Sequence, residues 1–177
     1  MLRLFAALPL RPDIADHLLP LQMGLVGASW RPYANFHITL RLFGDIDTDL
    51  AYDLDAALGQ IQAPQMKLSL AGAGWFGKRE PHAVWAGVAY NEALADLAGQ
   101  CERVARRLGL PAEKRKFMPH VTLAYCHGTS LEDAARFAER HTFFSTPEFW
   151  ADRFHLYSSQ LGQGPSRYVA EAEYPLF

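Results

Sequence analysis

The order of apolar and polar residues along the chain divides it into short strands and amphipathic helices. Residues 2–8 are mostly apolar and predict a buried strand, which Pro9 and Pro12 bring to an end. Alternation with a period of two predicts further strands, because successive side chains of a strand point to opposite faces. These strands fall at about residues 35–43, 66–70, 83–89, 149–158 and 167–173, with another at His120.

Apolar residues at helical spacing predict four helices between these strands. Their bounds, with capping residues where the sequence offers them, are about 14–26, Asp47 or Thr48 to Pro64, Asn91 to Gly109 or Pro111, and Ser130 to about His141. Each helix has one apolar face, so each is expected to lie against a sheet.

The order strand, helix, strand, helix, strand occurs twice, which indicates an internal duplication. Gly72-Ala73-Gly74 and the loop at 78–81 mark the junction between halves of about 1–74 and 82–177 within one domain, 1–177. We expect an α+β fold with two lobes of mostly antiparallel sheet, related by a pseudo-twofold axis. Helices are expected on the outer faces and a cleft between the lobes, with exchange of strands between lobes left open.

A short motif stands at the centre of each copy. His37-Ile38-Thr39-Leu40 recurs as His120-Val121-Thr122-Leu123. On a strand, the histidine and the threonine of each motif share one face, while the aliphatic residues line the other. Each copy therefore presents an imidazole and a hydroxyl side by side on a strand with an apolar back.

Composition and charge narrow the classes of function. The chain has 177 residues, half of them hydrophobic, which suffices for a core without a metal or disulfide. Its net charge of -2 argues against a protein that coats long nucleic acid, but not against one that binds a small phosphate or an RNA end. Cys101 and Cys126 lack metal-site spacing and are expected to be buried thiols. No signal peptide or bilayer-spanning run is visible, so a cytoplasmic, monomeric protein without membrane attachment is expected.

A pair of imidazoles suits acid–base chemistry on a phosphodiester. The pKa of imidazole is near neutrality, so one ring can accept a proton from water while the other donates a proton to the departing oxygen. The hydroxyls of Thr39 and Thr122 are placed to donate hydrogen bonds to non-bridging phosphate oxygens. We therefore expect His37, His120, Thr39 and Thr122 to be catalytic, with no metal and no cofactor.

The two motifs also resemble those of a known family. Phe36-His37-Ile38-Thr39-Leu40 and Phe117-Met118-Pro119-His120-Val121-Thr122-Leu123 resemble the paired HxTx signatures of the two-histidine (2H) phosphoesterase superfamily. Within it, the chain looks like the bacterial RNA 2′,3′-cyclic phosphodiesterases, also called 2′-5′ RNA ligases. Weaker flanking similarities are Arg3-Leu4-Phe5-Ala6-Ala7, Leu42-Phe43-Gly44, and Leu156-Tyr157-Ser158-Ser159 followed by Tyr168.

The resemblance implies a bilobal fold and metal-independent opening of 2′,3′-cyclic phosphate ends of RNA to a 2′-phosphate. It also implies reversible 2′-5′ joining of RNA. By the same analogy, His37 is the acid that protonates the leaving 3′ oxygen, and His120 is the base that activates water. The expected binding partners are accordingly RNA ends or small cyclic nucleotides.

One position departs from the family pattern. The second motif of the family usually continues to an arginine, HxTLxR, and this chain has Tyr125 there. A tyrosine offers one hydroxyl and a ring in place of a charged fork. Arg41 follows Thr39 by two positions and is expected on the same strand face, so we predict that Arg41 supplies the missing charge.

Other residues near the motifs are candidates for substrate binding. Arg115, within Lys114-Arg115-Lys116, precedes the second motif and is placed to attract a phosphate. The aromatic candidates for stacking on a base are Phe36, Tyr33, Phe117, Trp75 and Tyr157, with Phe117 and Tyr33 favoured.

Two alternatives stay open, and three others are disfavoured. The same site would suit a small nucleotide, such as an ADP-ribose cyclic phosphate or a 2′-5′ oligonucleotide, or a non-catalytic nucleotide-binding module. A metal held by His37, His120, Asp45 and His127 is disfavoured, because these residues lack the short paired spacing of a zinc or iron site. No nucleophile elbow or phosphate-binding loop is present, which disfavours a serine hydrolase and an ATP-driven ligase.

Overall fold

Ten strands and four helices make up the computed structural model, which describes residues 1–177. The strands are β1 (Leu2–Pro9), β2 (Ala28–Trp30), β3 (His37–Ile46), β4 (Met66–Leu68), β5 (Leu70–Phe76), β6 (Ala83–Val88), β7 (His120–Cys126), β8 (Phe149–Ala151), β9 (Arg153–Gln160) and β10 (Arg167–Pro175). The helices are α1 (Pro12–Ala15), α2 (Thr48–Leu58), α3 (Glu92–Arg107) and α4 (Leu131–Arg140), with 3-10 turns at Asp16–Leu21 and Tyr33–Asn35.

The strands form two four-stranded antiparallel sheets and one small pair. The first sheet has the order β10-β9-β1-β3, the second has the order β2-β7-β6-β5, and β4 pairs with β8. The first motif lies on β3 and the second on β7, so each sheet carries one motif. The predicted α+β class with antiparallel sheets is confirmed.

The sheets do not follow the order of the chain. Strand β5 comes from the first half of the sequence but pairs with β6 of the second sheet. Strands β9 and β10 come from the second half, and β9 pairs with β1 of the first sheet. Each sheet is thus built from both halves, and β5 and β9 occupy matching places beside β6 and β1. This exchange ties the two sheets together through the backbone.

One apolar core lies behind both motif strands. It contains Ile38 and Leu40 of β3 together with Val121 and Leu123 of β7, all buried, as their alternation predicts. Helix α3 closes this core with its apolar stripe, and it starts at Asn91, whose side chain accepts a hydrogen bond from the backbone of Leu94 at 2.9 Å. The sheet faces opposite this core carry the histidines and threonines.

The predicted caps of the longer helices are confirmed. Asp47 caps α2, accepting a hydrogen bond from the Leu50 amide at 2.8 Å, and Ser130 caps α4 by bonding the Asp133 amide at 3.0 Å. No helix is both long enough and apolar enough to span a lipid bilayer.

The first helix is much shorter than predicted. Regular α-helix ends at Ala15 and continues as a 3-10 turn to Leu21. Pro20 lacks an amide proton, and Gly24 and Gly27 adopt positive φ of 71° and 83°, so the chain leaves the helical path before residue 26. The segment instead delivers β2 to the edge of β7, a strand that the alternation did not reveal because it is only three residues long.

Gly72 and Gly74 lie inside β5 rather than at a junction between halves. A Cβ at Gly74 would come within 2.4 Å of the Trp85 ring on the adjacent strand β6. The absence of a side chain at Gly74 therefore leaves the space on the sheet surface that the Trp85 indole occupies. A glycine in a strand marks close approach by a neighbour, and here that neighbour lies beside the second motif.

Candidate active site

His37 stands at the start of β3 with its ring fixed by two hydrogen bonds. Its Nδ1–H donates to the carbonyl oxygen of Asn35 at 2.7 Å, because a carbonyl can only accept. The neutral ring is therefore protonated on Nδ1, and its Nε2 accepts a hydrogen bond from the Thr39 hydroxyl at 3.0 Å. This arrangement leaves Nε2 as the nitrogen that exchanges protons in the cleft.

His120 at the start of β7 has the same anchor. Its Nδ1–H donates to the carbonyl oxygen of Met118 at 2.6 Å, again two residues earlier in the chain. No protein group bonds its Nε2. Both motifs thus hold their imidazoles in the same tautomer, with Nε2 available to a substrate.

The two imidazoles act on each other across the cleft. Burial lowers the pKa of His37, and positive charge on His120 of the other sheet lowers it further, so the two rings lie within reach of each other's charge. Burial raises the pKa of Tyr168 on β10, and the nearby side chain of Tyr125 on β7 raises it further, which places these two side chains of different sheets close together. The repeat found in the sequence therefore forms one composite site between the sheets.

Aromatic rings of neighbouring strands enclose His37. Ring centroids of Phe5, Tyr168 and Tyr157 lie 4.9, 5.2 and 6.3 Å from the imidazole. Burial among these rings disfavours the charged imidazole and lowers the pKa of His37 to about 4, against the opposing effect of its bond to Asn35. In the free protein, His37 is neutral at physiological pH.

His120 has a different surrounding. Phe76 lies edge-on to it at 4.8 Å, and Trp85 lies at 5.9 Å. Burial lowers the pKa of His120, the bond to Met118 raises it, and the positive charge of Arg115 lowers it further. The indole N–H of Trp85 is buried without a hydrogen-bond partner in the protein.

A β-bulge interrupts each motif strand just after the threonine. On β3, Thr39 pairs with Ala7 and Arg41 pairs with Ala6. Strand β3 therefore advances by two residues where its partner β1 advances by one. The bulge shifts the alternation, and Arg41 therefore points to the core side instead of sharing the face of Thr39. The prediction for Arg41 is wrong for this reason.

Arg41 is instead the centre of a buried network. Its side chain is 9% exposed and pairs with Glu102 of α3, and it also donates to the carbonyl oxygens of Leu42 and Pro111. The second oxygen of Glu102 accepts a hydrogen bond from the Glu113 amide at 3.0 Å. Arg41 therefore fixes the loop that precedes the second motif rather than reaching the cleft.

That loop carries the predicted basic cluster towards the site. Arg115 donates to Glu113 through its backbone amide at 3.0 Å and through its side chain at 3.3 Å. Its side chain is 82% exposed, and its charge reaches His120. The role of Arg115 in binding a substrate phosphate stays a prediction.

The matching bulge on β7 has the opposite effect on Tyr125. Thr122 pairs with Trp85 and Ala124 pairs with Val84, so Leu123 is skipped. Tyr125 consequently returns to the face of Thr122 and is 42% exposed. The position where the resembled family carries arginine therefore faces the cleft, occupied by a tyrosine.

The predicted base-stacking residues differ in their exposure and contacts. Phe36 is 6% exposed and belongs to the core, so its prediction as a substrate-binding residue is wrong. Phe117 and Trp75 are half-buried and pack against the core. Tyr33 is 40% exposed, and its hydroxyl donates to the carbonyl oxygen of Pro12 at 3.0 Å. Tyr157 lies beside His37, as described above.

Several residues of the site were not predicted as functional. They are Phe5, Phe76, Trp85, Tyr168 and Arg31, which lie on or next to other strands of the two sheets that carry the motifs. Nothing in the sequence near the motifs points to them, because only sheet pairing brings them there. No group of three or more His, Cys, Asp or Glu side chains is arranged to hold a metal ion.

Comparison with known proteins gives a family match. A model of the 2′-5′ RNA ligase superfamily matches residues 27–163. An RNA 2′,3′-cyclic phosphodiesterase of Aeropyrum pernix is 35% identical over 53% of this chain and 54% of its own length. One from Geobacillus stearothermophilus is 30% identical over 84% of this chain and 48% of its own. The chain thus spans about half the length of these two relatives.

Other relatives match over nearly their whole length. The RNA 2′,3′-cyclic phosphodiesterase of Escherichia coli is 29% identical over 94% of this chain and 92% of its own length. The crystal structure of E. coli LigT with 3′-AMP superposes with a TM-score of 0.80 over 99% of this chain and 98% of that one, at 23% identity. A structure described as a phosphoesterase gives 0.82 at 25% identity, covering 99% and 98%. The fold is therefore shared across the chain.

Proposed function

The chain belongs to the 2′-5′ RNA ligase superfamily, and we propose that it is a metal-independent phosphodiesterase that opens 2′,3′-cyclic phosphate ends of RNA to a 2′-phosphate. The observation that supports this most is the matched anchoring of His37 and His120. Each ring is held through Nδ1, which leaves Nε2 for proton transfer: that of His120 has no partner in the protein, and that of His37 accepts only the Thr39 hydroxyl. Relatives named RNA 2′,3′-cyclic phosphodiesterase support the choice of substrate.

In the proposed reaction, Nε2 of His120 accepts a proton from a water molecule as that water attacks the phosphorus. The bond between phosphorus and the 3′ oxygen breaks, and the leaving oxygen receives a proton from Nε2 of His37. Thr39 and Thr122 donate hydrogen bonds to the non-bridging oxygens, where negative charge increases in the transition state. One proton is taken up and one is released, so the pair is reset by exchange with solvent.

The electrostatics of the free protein favour the base role of His120 and oppose the acid role of His37 until substrate binds. Arg115 lowers the pKa of His120 and so favours the neutral ring that a base requires. His37 must be protonated to act as the acid, and its pKa of about 4 in the free protein opposes this. The anionic cyclic phosphate offsets that cost, because an opposite charge in an enclosed site raises the pKa of the imidazole it touches.

The same pair suits 2′-5′ joining. A 5′-hydroxyl in place of water would lose its proton to His120 and form a 2′-5′ phosphodiester, and the reverse step would regenerate the cyclic phosphate. We also propose that the protein acts as a monomer in the cytoplasm.

A monomer suffices because both imidazoles come from one chain. The cytoplasm fits because Cys101 and Cys126 are free buried thiols, as expected in a reducing compartment.

The test is hydrolysis of an oligonucleotide that ends in a 2′,3′-cyclic phosphate, with EDTA present. We expect conversion to the 2′-phosphate, and a nucleoside 2′,3′-cyclic monophosphate should also react. An oligonucleotide ending in a 3′-phosphate serves as the unreactive control. Loss of turnover in EDTA would contradict a metal-independent mechanism, and binding of both cyclic substrates without turnover would instead indicate a nucleotide-binding module.

A further inference from the structure

Arg31 is an arginine without a counter-ion at the edge of the cleft. It follows β2, and its amide donates to the carbonyl oxygen of Leu123 at 2.8 Å, which ties it to the second motif strand. Its guanidinium donates only to Ser29, to the carbonyl oxygen at 3.4 Å and to the hydroxyl at 3.1 Å. No carboxylate lies within 4.0 Å, so its charge is uncompensated and Nη1 has no partner.

The position of this guanidinium is set by Tyr125. The Cζ atom of Arg31 lies 4.5 Å from the centroid of the Tyr125 ring, which is a cation–π contact. The bulge on β7 turns this ring to the face of His120 and Thr122. Tyr125 is 42% exposed, and Arg31 covers one face of its ring. The rest of the ring offers a surface for a further planar group.

Tyr168 connects this pair to the first motif. Its ring lies edge-on to His37 at 5.2 Å. Burial raises the pKa of its hydroxyl, and the nearby side chain of Tyr125 on the other sheet raises it further. The hairpin that carries Tyr168 is held near the motif, because the Asn35 side chain donates to the carbonyl oxygen of Ser166 at 2.9 Å. Arg31, Tyr125 and Tyr168 therefore form a continuous patch leading away from His37.

The strand register places Arg31 outside the reacting centre, because its amide bonds Leu123, three residues beyond His120 on β7, and β2 pairs with the end of β7 away from His120. The charges that act on His37 and His120 are those of His120 and Arg115, respectively. The charge of Arg31 acts on the hydroxyl of Tyr168. An anion held by Arg31 is therefore a different group from the phosphate held between the two imidazoles.

We infer that Arg31, Tyr125 and Tyr168 form a second phosphate subsite, which binds the phosphodiester next to the terminal nucleotide of the substrate. A guanidinium with free N–H groups binds a phosphate oxygen strongly, and the adjacent rings offer stacking surface to a base. This inference rests on the proposed function and deepens it. It makes an oligonucleotide end, rather than a mononucleotide, the preferred substrate.

The experiment compares Arg31→Met with the wild type on two substrates. For a dinucleotide ending in a 2′,3′-cyclic phosphate, we expect KM to rise about 10-fold or more, since a hydrogen bond to a charged group contributes roughly 1.5–3 kcal/mol. For a nucleoside 2′,3′-cyclic monophosphate, KM should stay within about twofold, as only one phosphate is present. Arg136→Met removes an exposed arginine of α4 that pairs with Glu132, and it serves as the matched control.

Two further measurements make the contact specific. A dinucleotide with an uncharged methylphosphonate at its internal linkage should bind the wild type as weakly as the normal dinucleotide binds Arg31→Met, with no further loss in that variant. The dependence of log KM on log salt concentration for the normal dinucleotide should fall by about 0.7 in Arg31→Met. Equal losses on both substrates, or none, would overturn the inference.

Failure of this inference is distinguishable from failure of the proposed function. Turnover of the cyclic mononucleotide by the wild type tests the chemistry without using the second subsite. Should neither substrate be turned over, equilibrium binding of the same mononucleotide and dinucleotide to wild type and Arg31→Met gives the comparison directly. Selective loss of dinucleotide binding would then support the subsite, and unchanged binding would reject it.

Discussion

The surroundings of His37 and His120 differ although their motifs are nearly the same. Both rings donate Nδ1–H to the carbonyl oxygen two residues earlier, at 2.7 and 2.6 Å. His37 then has three aromatic neighbours and a bond to Thr39, whereas His120 has two aromatic neighbours, an unbonded Nε2 and the charge of Arg115 nearby. The motif thus orients the imidazole, and the adjacent strands decide its protonation.

The aromatic rings that pack against His37 and His120 come from different positions in the two sheets. In the second sheet, Trp85 of β6 covers Gly74 of β5. In the first sheet, the corresponding pair on β1 and β9 is Ala7 with His155, and the large rings stand two pairs further along, at Phe5 and Tyr157. The two motifs thus share their backbone anchor, while the side chains around the two imidazoles differ.

The strongest test of this comparison removes each imidazole in turn. We expect His37→Gln and His120→Gln each to lower kcat on a cyclic-phosphate substrate by about 10²–10⁴-fold, the usual contribution of a general acid or base. Folding should be unaffected, as measured by thermal unfolding, because both rings face the cleft. His17→Gln, at an exposed histidine, is the control.

An aryl phosphodiester separates the two roles. Its leaving group departs as a stable anion and needs no proton, so His37→Gln should recover much of its activity on that substrate, whereas His120→Gln should not. Recovery by His120→Gln alone would reverse the assignment of acid and base. Equal behaviour of the two variants would show that the different surroundings do not divide the work.

The next effect concerns the loop on the His120 side. Arg41→Met should lower the free energy of unfolding by about 3–5 kcal/mol, because it leaves Glu102 partly buried without its partner. The double variant Arg41→Met with Glu102→Leu should recover part of this loss. Chemical denaturation measures both, and an unchanged stability combined with a sharp rise in KM would restore the role in phosphate binding that the sequence suggested for Arg41.

The smallest effect concerns the His37 side and appears as a pH dependence of stability. The pKa of His37 is about 4 in the folded protein and about 6.5 when unfolded, so the unfolded state takes up the proton first as pH falls. Stability should therefore decrease from pH 6.5 to pH 4, with His37 contributing at most about 3 kcal/mol of that decrease.

In His37→Gln this contribution should vanish, so the difference between wild type and variant, measured by denaturation across that range, isolates it from the other histidines. A difference that does not change with pH would mean that the ring is not enclosed as the structure has it. The same experiment on His17→Gln gives the baseline.

Much of the fold and the centre of the site could be predicted from local sequence. The strand alternation placed Ile38 and Val121 in the core and His37 and His120 on the opposite faces, since a strand repeats every two residues. The prediction failed for Arg41, because a bulge adds one residue and reverses the alternation beyond it. Nothing in the residues around Arg41 signals that bulge.

The sequence by itself determined the α+β class, the capped helices and the two histidine–threonine motifs, because each depends on residues a few positions apart. Tertiary structure alone decided that β5 and β9 change sheets, that Arg41 is buried with Glu102, and that Arg31 reaches the cleft beside Tyr168. These features depend on pairing between segments distant in the chain, and the periodicity of a single strand or helix contains no information about its partner.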